Sequence, residues 1–202
     1  MKALTRKRSQ QESTSDKGGK GDVLGRLSGA EAAAVLNCLL RRHPELRSEA
    51  ETVAADVLGD VSFLAVADDV ESAVLQFDYG DLNARAGGHS WGYVEPTEAA
   101  WELLEEAVEP FLDDMKRYLE LGLEEPAQGL CQGILLRLYR VRDGSKNDIL
   151  GWAADFPGEA AGNAFEVWRE ASPKGRRQLP RCFVAEHIPE WEWAARPSRK
   201  SK

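Results

Sequence analysis

Hydrophobic residues recur at intervals of three and four along most of the chain, which is the period of an α-helix. The first such segment follows Ser28 and Glu31, a pair typical of a capping box, and ends before Pro44. A second segment ends at Gly59, and we expect Asp60 to cap a third. No segment alternates apolar and polar residues as a strand does. The pattern predicts an all-α fold.

The longest periodic segment begins after Thr97, the expected N-cap, and closes at Gly122. Pro110 lies inside it, so we expect a kink or a break, because proline removes a backbone donor. The next segment has an apolar side formed by Leu130, Ile134, Leu135, Leu138 and Val141. Two long amphipathic helices with a short link predict a helical hairpin. Such hairpins favour a TPR-like α-solenoid or an irregular helical bundle, although no repeat has a fixed period.

Three shorter helical segments are expected in the last third of the chain. The first, "DILGWAADF", should end at Pro157-Gly158, and the second should end at Pro173. The third lies within "LPRCFVAEHIPEWEWAARP".

The pattern also divides the chain into regions. Residues 1–27 have no hydrophobic period and are rich in Lys, Arg, Ser, Gln and Gly, which predicts a disordered basic tail. An all-helical domain is expected over 28–195, with a Gly-rich connector at about 78–96. Residues 196–202 are expected to form a second disordered basic tail.

Composition agrees with one globular domain. Of 202 residues, 43% are hydrophobic and 30% are charged, and no run of eighteen apolar residues occurs. The basic N-terminus is followed by no apolar signal segment. The three cysteines are an odd number in apolar stretches, which favours reduced, buried thiols. We therefore expect a cytoplasmic protein with no membrane segment and no cofactor.

Charge is distributed unevenly around a net value of -8. Residues 1–27 carry seven Lys and Arg against three Asp and Glu, and residues 173–202 carry eight against three. The middle of the chain is strongly acidic. Such a body repels a nucleic-acid backbone, so nucleic-acid binding is an alternative only for the basic ends.

The string "GHSWG" at Gly88–Gly92 matches the nucleophile elbow of serine hydrolases, with Ser90 in the nucleophile position. An elbow requires a buried strand before the serine and a helix directly after it, and neither is expected here. A hydrolase using this loop is kept as an alternative. We interpret the stretch as a connector in which Trp91, Tyr93 and Val94 pack beside the long helix.

Two C-x₄-H pairs, Cys38 with His43 and Cys182 with His187, raise the question of a shared zinc site. Residues five apart on a regular helix point in different directions, so the pairs do not converge on an ion unless the helix ends between them. We expect no metal site.

Candidate contact residues lie in two places. The long helix carries carboxylates at Glu102, Glu105, Glu106, Asp113 and Asp114, which present an acidic face to solvent or to a basic partner. Near the C-terminus, Trp191 and Trp193 lie in a short polar segment, and we expect them to be exposed and to anchor a partner.

The strings "LLRRHPELR" and "WGYVEPTEAAWELLEEAVEPFLDDMKRYLELGLEEPAQGLCQGILLRLYRV" resemble the helical region that accompanies SWIM zinc fingers in bacterial and archaeal proteins. The resemblance covers residues 36–141, mostly through helix-packing positions. The C-x-C and C-x-H ligands of the finger are missing, so its zinc and nucleic-acid roles do not carry over. The resemblance implies a TPR-like scaffold without catalytic residues. The sequence therefore predicts a non-enzymatic module that binds one or more protein partners.

Overall fold

The computed structural model describes residues 23–90, 92–142, 148–171 and 178–196. These residues form an all-α fold with one short hairpin. The α-helices are α1 (Gly29–Arg42), α2 (Arg47–Gly59), α3 (Phe63–Leu75), α4 (Tyr79–Arg85), α5 (Pro96–Glu120), α6 (Glu124–Val141), α7 (Asp148–Trp152), α8 (Phe156–Glu170) and α9 (Arg181–His187). Short 3-10 helices occupy Leu24–Arg26, Pro44–Leu46 and Pro189–Ala195. The hairpin pairs β1 (Gly87–His89) with β2 (Gly92–Val94). The chain divides into two compact units, Met1–Glu51 and Thr52–Lys202.

The first unit contains α1 and the start of α2. The Ser28 hydroxyl accepts from the Glu31 amide and the Glu31 carboxylate accepts from the Ser28 amide, so the expected capping box is confirmed. No residue of the 3-10 turn at Leu24–Arg26, of α1 or of α2 is buried. The turn lies in the stretch expected to be a tail, and residues 1–22 of that tail lie outside the described residues.

The core of the second unit is built around α6, which packs against α3, α5 and α8. The five apolar positions that define its predicted stripe are all buried: Leu130, Ile134, Leu135, Leu138 and Val141. α3 approaches α6 very closely at Gly133. A Cβ atom there would lie 2.5 Å from the Cβ of Val66 and 2.8 Å from the carbonyl oxygen of Phe63. Glycine is therefore required at this crossing by space alone.

The long helix α5 differs from expectation at its start, and it has no break at its middle. Its N-cap is Glu95, and Pro96 occupies the first helical position, where the missing amide hydrogen costs nothing. Thr97 therefore lies inside the helix. The helix continues through Pro110 without a break. Buried residues on both sides of the proline, including Val108 and Met115, hold the two halves against the core.

The link from α5 to α6 is three residues long and confirms the predicted hairpin. Gly122 adopts a φ of 74°, in the left-handed region that ordinary side chains disfavour. The Leu123 amide donates to the Tyr118 carbonyl at 2.9 Å, and the Gly122 amide donates to the Leu119 carbonyl at 3.1 Å. These two bonds form a Schellman motif, which ends α5 and turns the chain back towards α6.

Two other boundary predictions were wrong. α3 is capped by Ser62, whose hydroxyl accepts from the Ala65 amide, and Asp60 lies outside the cap. α7 ends at Trp152, and Pro157 lies in the first turn of α8 instead of ending the preceding helix. Proline is tolerated there because the first amides of a helix have no partner within it. Pro173, the expected end of the next helix, lies outside the described residues.

The Gly-rich connector is also more regular than predicted. Asp78 caps α4 by accepting from the Gly80 amide at 2.6 Å and from the Asp81 amide at 3.2 Å. The antiparallel hairpin follows, with Gly87 opposite Val94. The connector is therefore a short helix and a two-stranded ribbon that lead into α5.

Candidate functional site

The five carboxylates predicted on α5 do not act as one face. Glu102 and Glu106 both turn towards α4, where Arg85 lies between them. The guanidinium of Arg85 is 2.8 Å from Glu106 Oε2 and 3.9 Å from Glu102 Oε2. Arg85 therefore bridges both carboxylates and links α4 to α5, although its single positive charge balances only one of their two negative charges.

The two aspartates near the end of α5 also differ from each other. Asp113 Oδ1 lies 2.9 Å from Lys116 Nζ, one turn along the same helix. Both side chains are largely exposed, so this pair contributes little to stability. Asp114 is exposed and lies about 100° further around the helix.

Glu105 has a different environment, because it borders a groove between α5 and α8. The groove has a volume of about 450 Å³. It is lined by Trp101, Glu105, Val108, Glu109, Leu112 and Lys116 from α5, and by Phe156, Glu159, Ala160 and Asn163 from α8. The α5 positions are separated by steps of four, three, one, three and four residues, so they form a continuous strip over about four helical turns.

The floor of the groove is aromatic and aliphatic. The rings of Trp101 and Phe156 meet edge to face, with centroids 5.2 Å apart and planes at 77°. Phe156 and Val108 are buried, while Trp101 and Leu112 are half-buried and face the open space. This packing fixes the two helices at the position where the groove opens, and leaves an apolar strip within reach of solvent.

Three carboxylates border this strip: Glu105 and Glu109 from α5 and Glu159 from α8. In the part of the chain that the structure describes, none of them forms an ion pair with a basic side chain. The lining contains one ammonium group, Lys116, and Asp113 already pairs with it. The groove is therefore acidic around an apolar floor.

Trp191 and Trp193 are partly buried, in contrast to the exposure expected from the sequence. The ring of Trp191 meets Tyr139 edge to face at 5.2 Å, and the ring of Trp193 meets Phe165 at 5.2 Å. The segment is also held by Glu190, which lies 2.6 Å from the guanidinium of Arg142. Both tryptophans attach the C-terminal 3-10 helix to the core, and their role in partner binding remains a prediction.

The "GHSWG" string forms a hairpin instead of a nucleophile elbow. Ser90 lies in an exposed turn between β1 and β2, so an antiparallel strand follows it where an elbow requires a helix. The Nε2 of His89 donates to the Arg85 carbonyl at 2.7 Å. Trp91 lies outside the described residues, and Tyr93, expected to pack, is 65% exposed.

Only one of the three cysteines is buried as expected. Cys131 is enclosed in α6, and desolvation raises the pKa of its thiol well above the usual range. Cys38 is half-buried and Cys182 is exposed. Within the described ranges, no group of three or more His, Cys, Asp and Glu side chains is placed to hold a metal ion. None of the described helices is both long and apolar enough to cross a membrane.

The groove was not predicted from the sequence, and Glu105 is the one lining residue that was among the predicted contact residues. The α8 residues Phe156, Glu159 and Asn163 had no sequence signal that linked them to α5, because the pairing of two helices depends on the tertiary fold. The signal on α5 was available: Trp101, Glu105 and Val108 share one face of a helix, and a large aromatic residue beside a carboxylate on that face indicates a half-exposed strip.

Comparisons of this chain with protein families, with characterised proteins and with solved structures find no match.

Proposed function

We propose that the protein is a non-enzymatic interaction module whose α5–α8 groove binds a basic, partly apolar segment of a partner protein. The observation that carries the proposal is the combination of a half-exposed aromatic and aliphatic floor with three carboxylates that have no basic partner among the described residues. A cationic side chain on such a segment would gain attraction from the rim, and its apolar neighbours would cover the floor.

The apolar floor and the acidic rim of the groove contribute to binding in different ways. Covering Trp101 and Leu112 removes apolar surface from water, at about 25 cal/mol per Å². The carboxylates add little affinity by themselves because they remain in water, but they select the sign of the partner's charge and accelerate its encounter. An acidic segment of equal hydrophobicity would be repelled by Glu105, Glu109 and Glu159. We therefore expect the groove to discriminate between partners by the sign of their charge and to bind them with modest affinity.

The shape of the groove favours an elongated occupant. Its strip on α5 runs from Trp101 to Lys116, about 22 Å along the helix axis. An amphipathic helix of three to four turns, laid along α5 and α8, would fit its apolar side to that length. The positive charge of Lys116 lies at one end of the groove and would repel basic residues of the partner. We therefore expect those basic residues near the other end, at Trp101.

Binding of labelled peptides tests the proposal. The probe is a fluorescein-labelled helical peptide of leucine and lysine, about three turns long, and its counterpart replaces every lysine by glutamate. We expect the lysine peptide to bind and the glutamate peptide not to bind in fluorescence anisotropy. Glu105→Lys and Glu109→Lys should each weaken binding roughly threefold to tenfold at low salt, because each reverses a rim charge.

Asp114→Lys is the matched control. It makes the same charge change on the same helix, but position 114 lies about 180° around α5 from position 105. Binding should stay close to that of the unchanged protein. Equal weakening by Asp114→Lys and Glu105→Lys would mean that only the net acidity of the chain attracts the peptide, and would contradict a groove site.

For the architecture, we infer an irregular bundle in preference to a TPR-like solenoid. In a solenoid each repeat contacts its sequence neighbours, whereas α6 packs against α3, α5 and α8 together. The resemblance to the helical region that accompanies SWIM zinc fingers supports a scaffold role. The two alternatives, a hydrolase at Gly88–Gly92 and nucleic-acid binding by the basic ends, remain predictions.

A further inference from the structure

Helix α1 has an apolar stripe on its surface. The stripe consists of Ala32, Val35, Leu36 and Leu39, all of them exposed. The relative exposure is 44% for Val35, 48% for Leu36 and 43% for Leu39. These residues lie within about 100° of one another around the helix, so they form one continuous face.

A helix of this kind gains little stability from its own sequence. Helices shorter than about 12–15 residues are marginal in water, and most helices in proteins are stabilised by burying an amphipathic face. α1 has 14 residues and none of them is buried. Its capping box supports the first turn, but the apolar stripe contributes nothing while it faces water.

The spacing of the stripe identifies the surface that fits it. Its residues are separated by steps of three, one and three, so the pattern is the same when the helix is read in the opposite direction. In an antiparallel pair of such helices, a twofold axis through the middle of the stripe therefore places the stripe of one copy directly against the stripe of the other. Val35 of one copy then meets Leu36 of the other, and Ala32 meets Leu39. A small residue opposite a large one at each end allows the two stripes to interdigitate.

The charges of α1 complete the match. Glu31 and Arg42 lie on the same flank of the stripe, separated by about 20° around the helix. In an antiparallel pair each flank faces its own counterpart, which brings Arg42 of one copy within about 3 Å along the axis of Glu31 of the other. Both capping hydrogen bonds to Glu31 use Oε2, so Oε1 is not used by the cap. A parallel pair would place Arg42 beside the other flank, which carries no acid.

We propose that two copies of this chain associate through α1, antiparallel, with the exposed stripes facing each other and two Glu31–Arg42 pairs at the ends. One helix per copy gives a small interface, so the association is expected to be weak and concentration-dependent, with a dissociation constant of about 10–100 µM.

Sedimentation velocity of the full chain over a range of concentrations tests this proposal. The unchanged protein should pass from monomer to dimer across that range. Leu36→Lys places a charge beside the twofold axis in each copy and should abolish the dimer. Ala34→Lys adds the same charge on the opposite side of α1 and should leave it intact. Because positions 34 and 36 are both exposed, neither change should alter the circular dichroism spectrum at concentrations where the chain is monomeric.

A second pair of variants tests the orientation. Arg42→Glu places like charges at both ends of the interface and should weaken the dimer about tenfold, whereas Arg41→Glu, about 100° further around the helix and facing away from the stripe, should not. A monomer at every concentration, a dimer that persists in Leu36→Lys, or equal effects of Arg41→Glu and Arg42→Glu would each overturn the proposal. None of these results depends on the groove, so this proposal and the proposed function fail separately.

Discussion

At the scale of single residues, Gly133 is a position where the packing leaves no room for a side chain. Alanine at this position would bring a Cβ atom to 2.5 Å from Val66 and 2.8 Å from the Phe63 carbonyl oxygen. Alanine favours a helix by about 1 kcal/mol over glycine, but separating α3 from α6 costs more. We expect Gly133→Ala to lower the free energy of unfolding by roughly 1–3 kcal/mol in urea denaturation.

Gly162 in α8 provides the comparison. A Cβ atom there meets no atom within 4 Å, so the gain in helix propensity is not offset by a clash. Gly162→Ala should raise the free energy of unfolding by up to about 1 kcal/mol. If both glycines responded in the same direction, the close approach of α3 to α6 would not be the controlling factor.

A second residue-scale prediction concerns the buried guanidinium of Arg137. It is 7% exposed, and its Nη1 lies 2.7 Å from Oε2 of Glu71, while its Nε has no hydrogen-bond partner among the residues that the structure describes. Burial lowers the pKa of Arg137, and the charge of Glu71 opposes that shift. Glu71→Ala would remove the hydrogen-bonded partner of this buried charge, at a cost of about 1–3 kcal/mol in urea denaturation.

Arg137→Met distinguishes the stabilisation by the ion pair from the cost of burying the guanidinium. It removes the charge that is expensive to bury, and Glu71, which is 40% exposed, can be solvated. This variant should therefore unfold closer to the unchanged protein than Glu71→Ala does. Glu192→Ala, which breaks an exposed pair with Arg196, should change stability little. A larger loss for Arg137→Met than for Glu71→Ala would contradict this account.

At this scale the sequence predicted correctly which side of α6 is buried, but it predicted wrongly that the two C-terminal tryptophans are exposed. The apolar stripe of α6 was predicted because hydrophobic periodicity reports which side of a helix faces a core. The partial burial of Trp191 and Trp193 was missed because it depends on Tyr139 and Phe165, which come from distant helices. A polar local sequence does not reveal such long-range contacts.

At the scale of elements, the capping box of α1 provides a pH-dependent prediction. The hydrogen bonds from Ser28 lower the pKa of Glu31 below 4.5. A lowered pKa means that the stabilising contribution is present above the unfolded value and is lost as the pH falls through the folded value. The helicity of the first turn of α1 should therefore decrease between about pH 5 and pH 3, as read from backbone carbon chemical shifts.

Two variants isolate the cap. Glu31→Gln keeps an acceptor that does not titrate, so the first turn should lose its dependence on pH over this range. Ser28→Ala removes the hydroxyl and should reduce helicity at neutral pH as well. An unchanged pH profile in Glu31→Gln would assign the transition to another carboxyl group.

Long helices were easier to predict from the sequence than short helices and strands. α5 and α6 present several turns of periodic apolar residues and were found, including the hairpin that Gly122 closes. α4 and the two strands are seven and three residues long, too short for a hydrophobic period. Their signals were local: Asp78 followed by Asp81 is a capping pattern, and glycines border the ribbon.

At the scale of the whole molecule, the two units differ in how much they bury. α6 consists mostly of buried residues, whereas none of the helical residues of the first unit is buried. The groove belongs to the larger unit, and it could not be read from the sequence because α5 and α8 lie far apart in the chain and meet only in the tertiary fold. Periodicity identifies the faces of helices, but it does not identify which faces meet.

This difference predicts a gradient of hydrogen exchange. Amides of α6 should exchange only through global unfolding, because opening any part of that helix exposes the core. Amides of α1 should exchange through local opening, faster by several orders of magnitude, at protein concentrations where the chain is monomeric. Mass spectrometry of deuterium uptake on peptides from the two helices measures both. Equal protection of α1 and α6 in the monomer would mean that the first unit unfolds together with the core.

The same measurement at higher concentration tests the pairing of α1 at the level of the assembly. If two copies associate, the local opening of α1 competes with dimer formation, so its exchange should slow as the concentration rises. The exchange of α1 slows as a larger fraction of the chains becomes dimeric. It should be about tenfold slower when the concentration of free protein is ten times the dissociation constant. Leu36→Lys should remove this dependence, while the exchange of α6 stays constant in both proteins. A concentration effect on α6 as well would place the contact on the core unit instead of on α1.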